Sequence, residues 1–404
     1  MDTATADRIR QQIAWETARE GPAPGFPALT PIPGARYTSP EFFALEREHL
    51  WRTSWLLAAR EEEFAEPGAY ARFERAGAPI LIVRGEDSRL RAFYNTCQHR
   101  GAPVVRDACG VAKRLRCQYH SWTYDLEGKL VGVPDRRDFA KLDESARGLR
   151  PVRCESWDGF VFVNEDLNAT PLREWLGPIA RDFAALECGK LRKLAVRNKR
   201  VPCNWKVAAD AFLEVYHINT IHPRSVSQTL DYRGGVMALF PNGHTRMVTP
   251  KFPQAIATRG DTRTEAPCVP GANDLIRDTN VAYGVFPNFI TPLDTIGFPV
   301  ITFWPVDARN TEIVWEWFAP EGQRESDPFW SAMLPGFDAV MDEDFMNLAP
   351  MQKSLESPGL RSIPLSYQER RIYHLHEEID RAIGRDKIPA ELRVEPLLEK
   401  FVES

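Results

Sequence analysis

Four residues in two short segments of the chain combine thiols with imidazoles. Cys97 and His99 form a Cys-x-His pair, and Cys117 and His120 form a Cys-x-x-His pair. Two such loops can each present one thiolate and one imidazole, so that one iron is held by two sulfurs and a second iron by two nitrogens. The alternative is a structural zinc site with the same four ligands, although zinc sites usually pair Cys with Cys and His with His in sequence.

A second group of ionisable residues lies further along the chain. Asp210, Glu214 and His217 are spaced by four and three positions, so the segment 204–221 predicts a helix on which they share one face. His222 follows His217 by five positions, about 140° around an ideal helix, so both imidazoles can reach one ion only if the helix distorts or ends between them. The alternative is a solvated acidic face with incidental histidines.

A later predicted helix, 335–355, places a carboxylate in an apolar stripe. The stripe recurs at spacings of four and three and consists of Phe337, Met341, Asp344, Leu348 and Met351. Asp344 is therefore expected to be buried, whereas Asp342 and Glu343 fall off the stripe. A buried carboxylate must be paired or bound to a metal, and two histidines with one aspartate are the ligand set of non-haem Fe(II) oxygenases. The alternative for Asp344 is a hydrogen bond to a helix cap or an arginine.

The composition of the chain excludes several classes of protein. Its 404 residues carry 51 Lys and Arg against 56 Asp and Glu, which leaves no positive surplus for binding nucleic acid. We expect no membrane span, because no run of 18 apolar residues occurs, and no signal peptide at the charged N-terminus. Seven cysteines are too few for a disulfide scaffold of this length, so a cytoplasmic protein with reduced or metal-bound thiols is predicted.

The elements that must hold these residues fall into three predicted regions. Residues 1–40 are typical of a helix and a proline-rich linker packing on the catalytic domain, and residues 41–160 are glycine-punctuated β-sequence that contains the Cys/His pairs. Residues 161–404 combine helices with aromatic strands, including a hairpin whose turn is Asn242-Gly243. An antiparallel sheet with a helix against it is the natural packing, so the predicted fold class is α+β.

The Cys/His segments resemble the Rieske [2Fe-2S] motif, with Gly-Ala-Pro soon after His99 and Ser-Trp-x-Tyr after His120. Ala102 stands where Rieske proteins of respiratory complexes carry an additional, disulfide-forming cysteine, which points to the soluble oxygenase branch. The Asn-Trp-Lys…His…His segment that begins at residue 204 and the placement of Asp344 eight positions before Gln352 extend the likeness. Nearly the whole chain is similar to the large (alpha) subunit of Rieske non-haem iron aromatic-ring-hydroxylating oxygenases.

This resemblance implies an architecture and a set of cofactors. The architecture is a Rieske β-sandwich domain plus a helix-grip (START/Bet v1-like) catalytic domain with a curved antiparallel sheet. The resemblance assigns a [2Fe-2S] cluster to Cys97, His99, Cys117 and His120, and one mononuclear non-haem Fe(II) to His217, His222 and Asp344. Glu214 is implied to couple that iron site to the Rieske domain of the neighbouring subunit in a homotrimer, with or without small beta subunits. Asp210 is a second candidate catalytic residue.

The implied function is that of a terminal oxygenase acting on a small molecule with O2. No G-x-G-x-x-G fingerprint occurs, so a separate reductase, directly or through a ferredoxin, is expected to supply the electrons. The predicted reaction is cis-dihydroxylation or monohydroxylation of an aromatic or similarly apolar compound. Glu214 is an aspartate in many aromatic dioxygenases and a glutamate in enzymes similar to carnitine and glycine-betaine oxygenases, so demethylation or C–N cleavage of a quaternary amine stays open. A Rieske electron carrier or a zinc-stabilised binding protein would leave the second group of residues unexplained.

Strand residues with aromatic, thioether or aliphatic side chains are the predicted substrate pocket. They are Met237, Leu239, Met247, Phe286, Phe289, Ile296, Phe298 and Phe303. Ordinary sheet core is the alternative for these residues. Arg246 is placed to pair a substrate carboxylate through its planar guanidinium, with an exposed strand arginine as the alternative.

Overall fold

The computed structural model describes residues 1, 3–260 and 268–403 and divides into two compact units, Trp51–Leu172 and Met1–Leu50 with Arg173–Ser404. The helices are α1 (Thr3–Ala18), α2 (Pro40–Leu45), α3 (Leu172–Leu176), α4 (Pro178–Phe183), α5 (Trp205–Ala211), α6 (Ile218–Ile221), α7 (Pro253–Gly260), α8 (Asp274–Asp278), α9 (Pro328–Leu355) and α10 (Arg370–Ile383). The strands are β1 (Ile32–Pro33), β2 (Leu56–Arg60), β3 (Ala69–Phe73), β4 (Ile80–Arg84), β5 (Leu90–Tyr94), β6 (Cys109–Val111), β7 (Leu115–Arg116), β8 (Thr123–Tyr124), β9 (Leu130–Gly132), β10 (Pro151–Trp157), β11 (Phe160–Asn164), β12 (Leu191–Val201), β13 (Val236–Leu239), β14 (Thr245–Pro250), β15 (Thr279–Val285), β16 (Phe289–Leu293), β17 (Phe298–Asp307), β18 (Asn310–Pro320) and β19 (Ser362–Ile363).

The unit Trp51–Leu172 is built from two antiparallel sheets. Its seven-stranded sheet has the order β2-β11-β10-β5-β4-β3-β6, and β7, β8 and β9 form a three-stranded sheet. Residues of both sheets share one apolar cluster, in which Leu81, Leu115 and Tyr124 are 0% exposed. The β-rich fold predicted from the glycine-punctuated sequence is confirmed.

The boundaries of this unit lie later in the chain than the expected positions 41 and 160. Its last strand, β11, pairs with both β2 and β10, and the backbone N–H of Leu172 donates a hydrogen bond to the Glu155 carboxylate at 2.9 Å. At the other boundary, Glu46 is buried in the other unit, where Lys206 Nζ donates to its carboxylate at 2.7 Å. Residues 40–50 therefore pack with the later part of the chain.

The second unit contains a seven-stranded antiparallel sheet of order β12-β18-β17-β16-β15-β14-β13. The predicted hairpin is confirmed, because β13 and β14 pair with Leu239 opposite Thr245. Asn242 and Gly243 have φ values of 60° and 74°, the left-handed conformation that such a turn requires. The sheet thus has the antiparallel arrangement predicted from the sequence.

Helix α9 packs on this sheet through aromatic side chains. The Trp317 and Phe337 rings lie 5.0 Å apart in a T-shaped arrangement, and Trp315 Nε1 donates to Asp338 at 2.8 Å. The helix begins at Pro328 rather than at the predicted residue 335. The predicted stripe is wrong at Met351, which is 47% exposed, while Gln352 is buried in its place. The reason is that an ideal helix drifts relative to a strict repeat of 3.5 residues.

The N-terminal segment belongs to the same compact unit as this sheet. Strand β1 pairs with β19, and Glu16 of α1 accepts a hydrogen bond from Arg370 of α10 at 3.3 Å. Within the described part of the chain, every helix is too short or too polar to cross a bilayer.

Candidate functional site

Two short helices, and not one, carry the segment that contains the histidines. Helix α5 begins at Trp205 and ends at Ala211, and Asn204 caps its start by accepting the backbone N–H of Lys206 on its side-chain oxygen at 3.1 Å. The carboxylate of Glu214 then accepts the backbone N–H groups of Tyr216 and His217. Because these donors are taken by a side chain, they do not bond the carbonyls four residues earlier. The prediction of one continuous helix over 204–221 is therefore wrong.

Three ligand atoms from distant parts of the sequence converge after this break. Nε2 of His222 lies 3.0 Å from Oδ1 of Asp344, and Nε2 of His217 lies 3.6 Å from the same oxygen. Among the described residues, these three side chains form a group whose ligand atoms all lie within 4.8 Å of one another. Helix α6 ends at Ile221, so His222 is free of the helical geometry that would have turned it away from His217.

The opposite nitrogen of each imidazole is held by a glutamate. Nδ1 of His217 is hydrogen-bonded to Glu214, and Nδ1 of His222 lies 2.7 Å from Glu343. Such carboxylates fix the tautomer and the orientation of a ligating histidine and leave Nε2 for the metal. Sequence reasoning missed Glu343 because this residue lies off the apolar stripe. Its position next to Asp344 is the signal that could have identified it.

The charges of these residues favour a cation between the imidazoles. Burial acts to lower the pKa of His217, but the carboxylates of Glu214 and Asp344 outweigh it and raise that pKa above its ordinary value. Burial is likewise outweighed at His222, whose pKa is raised by Asp344 and Glu343. Two imidazoles and one carboxylate are a ligand set that suits Fe(II), so the residues present fit a mononuclear iron.

One glutamine links the start of helix α5 to helix α9, which carries Asp344. The backbone N–H of Asn204, at the start of α5, donates to Oε1 of Gln352 at 2.9 Å. The side-chain amide of Gln352 donates in turn to the carbonyl of Tyr37 at 3.4 Å. Because Gln352 and Asp344 belong to the same helix, this bond sets the position of α5 against α9.

The two Cys/His loops have the same backbone pattern. The N–H of Cys97 donates to the carbonyl of Ala102 at 2.8 Å, and that of Cys117 donates to the carbonyl of Trp122 at 2.9 Å. Each loop also turns through a residue with positive φ, Gly101 at 77° and Ser121 at 59°. The loops therefore present a thiol and an imidazole in equivalent ways.

The side chains of these loops fit an iron–sulfur cluster. The rings of His99 and His120 lie 4.6 Å apart, and the ring of His99 stacks on Trp122 at 4.8 Å. Nδ1 of His99 is buried and has no hydrogen-bond partner among the described residues, which fits a metal ligand. Burial lowers the pKa of His99, in keeping with a neutral imidazole ligand, and Tyr124 Oη lies 3.3 Å from the sulfur of Cys97.

Two family models match the chain. The catalytic-domain model of the ring-hydroxylating alpha subunit matches residues 183–385, and the Rieske [2Fe-2S] domain matches residues 54–144. This chain belongs to the Rieske ring-hydroxylating oxygenase alpha subunits. Its cofactors are accordingly a [2Fe-2S] cluster and one mononuclear iron, as the sequence predicted.

Relatives of this alpha subunit include a monooxygenase subunit and a dioxygenase subunit. The carnitine monooxygenase oxygenase subunit of Escherichia coli (strain K12) is 36% identical over 194 residues, which are 48% of this chain and 52% of that protein. Benzene 1,2-dioxygenase subunit alpha of Pseudomonas putida is 35% identical over 190 residues, which are 46% of this chain and 42% of that protein. The chain thus spans about half the length of the curated relatives it matches.

Solved structures share the fold over more of the chain. The quaternary ammonium Rieske monooxygenase CntA in complex with L-carnitine is 25% identical, with a TM-score of 0.72, and the match covers 90% of this chain and 99% of CntA. Naphthalene 1,2-dioxygenase from Rhodococcus sp. bound to indole is 19% identical, with a TM-score of 0.71, and covers 96% of this chain and 100% of its own. At 19% identity, the likeness to naphthalene 1,2-dioxygenase shows a shared fold.

A cavity of about 360 Å³ is linked to the candidate iron site of this alpha subunit through one lining residue, Ser225. Ser225 lines the cavity and donates a hydrogen bond to Glu343 at 2.5 Å, and Glu343 in turn holds His222. Most of the lining is apolar and comes from strand ends and α9, including Leu230, Pro292, Leu293, Ile296, Pro299, Trp317, Met333, Phe337 and Val340. Lys251, Asn280 and Asp294 add a polar edge.

Most of the predicted pocket residues lie elsewhere. Ile296 lines this cavity, but Phe298 and Phe303 are 0% exposed core residues, while Met237 and Met247 pack in a core cluster with Val215 and Ile218. Phe286 and Phe289 line a separate small cavity, and Leu239 lines another. In a sheet covered on both faces, alternation along a strand does not distinguish core residues from cavity lining.

Arg246 has neither of the predicted roles. It is 4% exposed, and its Nη1 donates to the Asp182 carboxylate at 2.7 Å. The paired guanidinium serves the structure of the sheet and is absent from the lining of the 360 Å³ cavity.

Proposed function

We propose that this alpha subunit is the terminal oxygenase of a multicomponent Rieske system, which hydroxylates a small organic molecule with O2 and electrons from a separate reductase. One observation carries the proposal: Nε2 of His217, Nε2 of His222 and Oδ1 of Asp344 converge while both Nδ1 atoms are held by glutamates. Iron on such a three-ligand set keeps coordination positions open for O2.

The protein's own residues supply orientation and exclusion of water. Glu214 fixes the tautomer and ring orientation of His217, and Glu343 fixes those of His222. The mainly apolar lining of the 360 Å³ cavity would exclude water from a bound substrate. Contacts with α9 and the strand ends would fix the position of the substrate.

The proposal includes electron transfer between copies of the chain. Glu214 would link His217 to His99 or His120 of a neighbouring subunit, because a carboxylate between two imidazoles orients both rings. The exposure of His120 and the hydrogen bond between Glu214 and His217 support this role. We propose a homotrimer for this reason, and the cytoplasmic location stays a prediction.

For the substrate, we propose an aromatic or similarly apolar compound that undergoes cis-dihydroxylation or monohydroxylation. The mainly apolar lining and the rings of Trp317 and Phe337 support this class. A volume of about 360 Å³ lies in the range of small-ligand pockets.

Oxidative C–N cleavage or demethylation of a quaternary amine is the second candidate function. It is favoured by the Asp294 carboxylate in a cavity that also contains two aromatic rings, since both carboxylates and ring faces attract ammonium groups. The names of the carnitine monooxygenase relatives support the same candidate.

Metal analysis combined with visible absorption tests the proposed class of enzyme. We expect a cluster spectrum together with iron beyond the two atoms of the cluster. A colourless zinc protein would overturn the Rieske assignment, and cluster iron without a further iron would leave an electron carrier.

Turnover assays separate the two substrate classes. Aromatic acids and hydrocarbons are compared with carnitine-like amines, with the same reductase and the same measurement of O2 consumed per product formed. Cleavage of amines without oxidation of any aromatic compound would overturn the first candidate.

A further inference from the structure

Four polar side chains form a line of hydrogen bonds in the iron-binding unit; three of them are fully buried, and Asp210 is partly exposed. Nε of Arg36 donates to Nδ1 of His376 at 2.9 Å, and Nε2 of His376 lies 2.8 Å from Oη of Tyr37. The Tyr37 hydroxyl donates to Oδ2 of Asp210 at 2.7 Å. Arg36 and His376 are 0% exposed and Tyr37 is 1% exposed, so water does not reach this part of the line, whereas the Asp210 side chain at its end is 16% exposed.

The line has one direction. A guanidinium donates and cannot accept, so Nδ1 of His376 must be the acceptor. Burial, together with Arg36 and Lys206, holds the pKa of His376 well below its ordinary value, so the ring is neutral and carries its proton on Nε2. That proton is donated to Tyr37, and the hydroxyl proton of Tyr37 is left for Asp210. The line therefore starts at Arg36 and ends at Asp210.

Asp210 has one oxygen outside this line. Its Oδ1 is buried and has no hydrogen-bond partner among the described residues. Because Arg36 does not release a proton, Asp210 cannot be protonated through the line. Since Oδ2 accepts from Tyr37, the acid form of Asp210 carries its proton on Oδ1. Burial raises the pKa of Asp210 to about 7, against the lowering effect of Tyr37 and Lys206, so acid and carboxylate coexist near neutral pH.

The helix that carries Asp210 neighbours two elements that carry candidate iron ligands. Its helix, α5, packs against α9, which carries Asp344. The turn that follows α5 carries Glu214 and His217. A proton released from Oδ1 of Asp210 is thus released on a helix that packs against α9 and leads into the turn of Glu214 and His217.

We propose that Asp210 stores a proton at Oδ1 and releases it toward the iron site in each turnover, while the Tyr37 hydroxyl stabilises the carboxylate that remains. This inference rests on the proposed function. Hydroxylation inserts one oxygen atom of O2 into a C–H bond and reduces the other to water, and it consumes two electrons from the reductase and two protons. Cis-dihydroxylation consumes the same number of each. Asp210 supplies one of these protons and regains a proton from solvent before the next turnover.

Charged groups on all of the surrounding elements act on Asp210. Lys206, on the same helix, lowers the pKa of Asp210, while Glu369 and Glu214 raise it. The other charged or titratable neighbours of the line are Glu46, which pairs with Lys206, Asp380, which pairs with Arg36, and Arg371 at the start of α10. Since the protonated acid is the active form, turnover is expected to fall as the pH rises through about 7.

The variant Asp210→Asn tests the proposal, because its amide oxygen still accepts from Tyr37 while the side chain no longer carries an acidic proton. We expect kcat to fall on the order of 100-fold with little change in KM, and more O2 to be consumed per product. Iron content and the cluster spectrum should be retained. A variant with the kcat and the pH profile of the wild type overturns the proposal.

A measurement on the iron-free protein gives a second readout. Infrared difference spectra of the full chain should show a protonated carboxyl band that titrates near pH 7 and is lost in Asp210→Asn. Tyr37→Phe removes a hydrogen bond that lowers the pKa of Asp210, so it should move this titration to higher pH. Absence of the band from the wild type overturns the proposal, even if Asp210→Asn fails to bind iron.

Asp182→Asn is a matched control. Asp182 also accepts from a tyrosine, Tyr283 at 2.7 Å, and from Arg246, but its helix, α4, is separate in sequence from both the 204–222 segment and α9. This variant should leave the infrared band and the pH profile unchanged, and loss of either would show that the effect is a general one of removing a buried carboxylate. A wild-type chain without the mononuclear iron would refute the proposed function, whereas the infrared titration reports on Asp210 alone.

Discussion

At the scale of single residues, the iron site depends on side chains that hold other side chains. His217 and His222 face one aspartate oxygen because Glu214 and Glu343 fix their far nitrogens. The spacing of the histidines and one carboxylate in an apolar stripe predicted the three candidate ligands that the structure brings together. The role of Glu343 could not, because a polar residue beside the stripe looks like a solvated one until the fold brings His222 to it.

Replacement of the aspartate ligand should separate the two metal sites. Asp344→Ala is expected to keep the cluster spectrum and to lose the mononuclear iron and turnover, because two neutral imidazoles alone bind Fe(II) weakly. Iron analysis with visible absorption measures both. Asp342→Ala is the control, since Asp342 is exposed and pairs with Lys199. Full activity in Asp344→Ala would show that another residue is the third ligand.

Removal of the glutamate behind His222 should weaken the iron site without abolishing it. Glu343→Ala leaves Nδ1 of His222 without its 2.7 Å acceptor, so iron affinity should fall about 10–100-fold. Ser225→Ala, which removes only the hydroxyl that donates to Glu343, should have a smaller effect. Iron titration of the metal-free protein gives both affinities. Equal affinities for Glu343→Ala and the wild type would contradict the role assigned to Glu343.

At the scale of elements, local rules predicted the hairpin and failed at the helix. The Asn242-Gly243 turn requires only that these two residues adopt a positive φ, and the residue types alone predict this. The helix was expected to continue past Ala211, but the Glu214 carboxylate takes the N–H groups that the next turn would use. Of the predicted pocket residues, only Ile296 lines the 360 Å³ cavity, because cavity lining and core have the same apolar composition.

The hairpin turn offers a test of backbone strain. Gly243 has a φ of 74°, and a Cβ atom there would lie 2.6 Å from Cγ of Glu378. We expect Gly243→Ala to destabilise the protein by about 1–3 kcal/mol. Gly21→Ala is a matched control, because a Cβ at Gly21 would meet nothing within 4 Å. Thermal unfolding of both variants should show a lower Tm for Gly243→Ala alone.

At the scale of the whole molecule, a buried histidine makes stability depend on pH. Nε2 of His244 donates to the carbonyl of Trp175 at 3.0 Å, and Nδ1 accepts the N–H of Phe286 at 3.1 Å, so only the neutral ring satisfies both bonds. Burial lowers the pKa of His244 to about 3, below the ordinary value of 6.5. Between these values the unfolded chain binds a proton that the folded chain does not, so stability falls as the pH falls.

Denaturant unfolding at a series of pH values measures this dependence. The contribution of His244 should reach about 1.4 kcal/mol per pH unit within that window. His244→Gln should be less stable than the wild type near pH 7, with a difference that narrows as the pH falls. A difference that is constant across the window would contradict the assignment.

The division into two units predicts which fragment folds alone. A fragment of residues 51–172 contains both partners of β11 and the Glu155 contact of Leu172, so it should bind the [2Fe-2S] cluster. A fragment of residues 41–160, with the boundaries expected from sequence, lacks all but one residue of β11 and should be insoluble or without cluster. Visible absorption of the two purified fragments decides the matter.

Strand pairing at the ends of this unit has an evolutionary consequence. Its first strand, β2, lies directly beside its last strand, β11, with Leu56 opposite Val163 and Arg60 opposite Phe160. A polypeptide that leaves and returns at neighbouring points can be inserted at a single position of a host chain, as tolerated domain insertions are. The cluster domain can thus be exchanged as one unit. Its replacement by a Rieske domain of different reduction potential would alter the driving force for electron transfer without changing the residues that would hold the mononuclear iron.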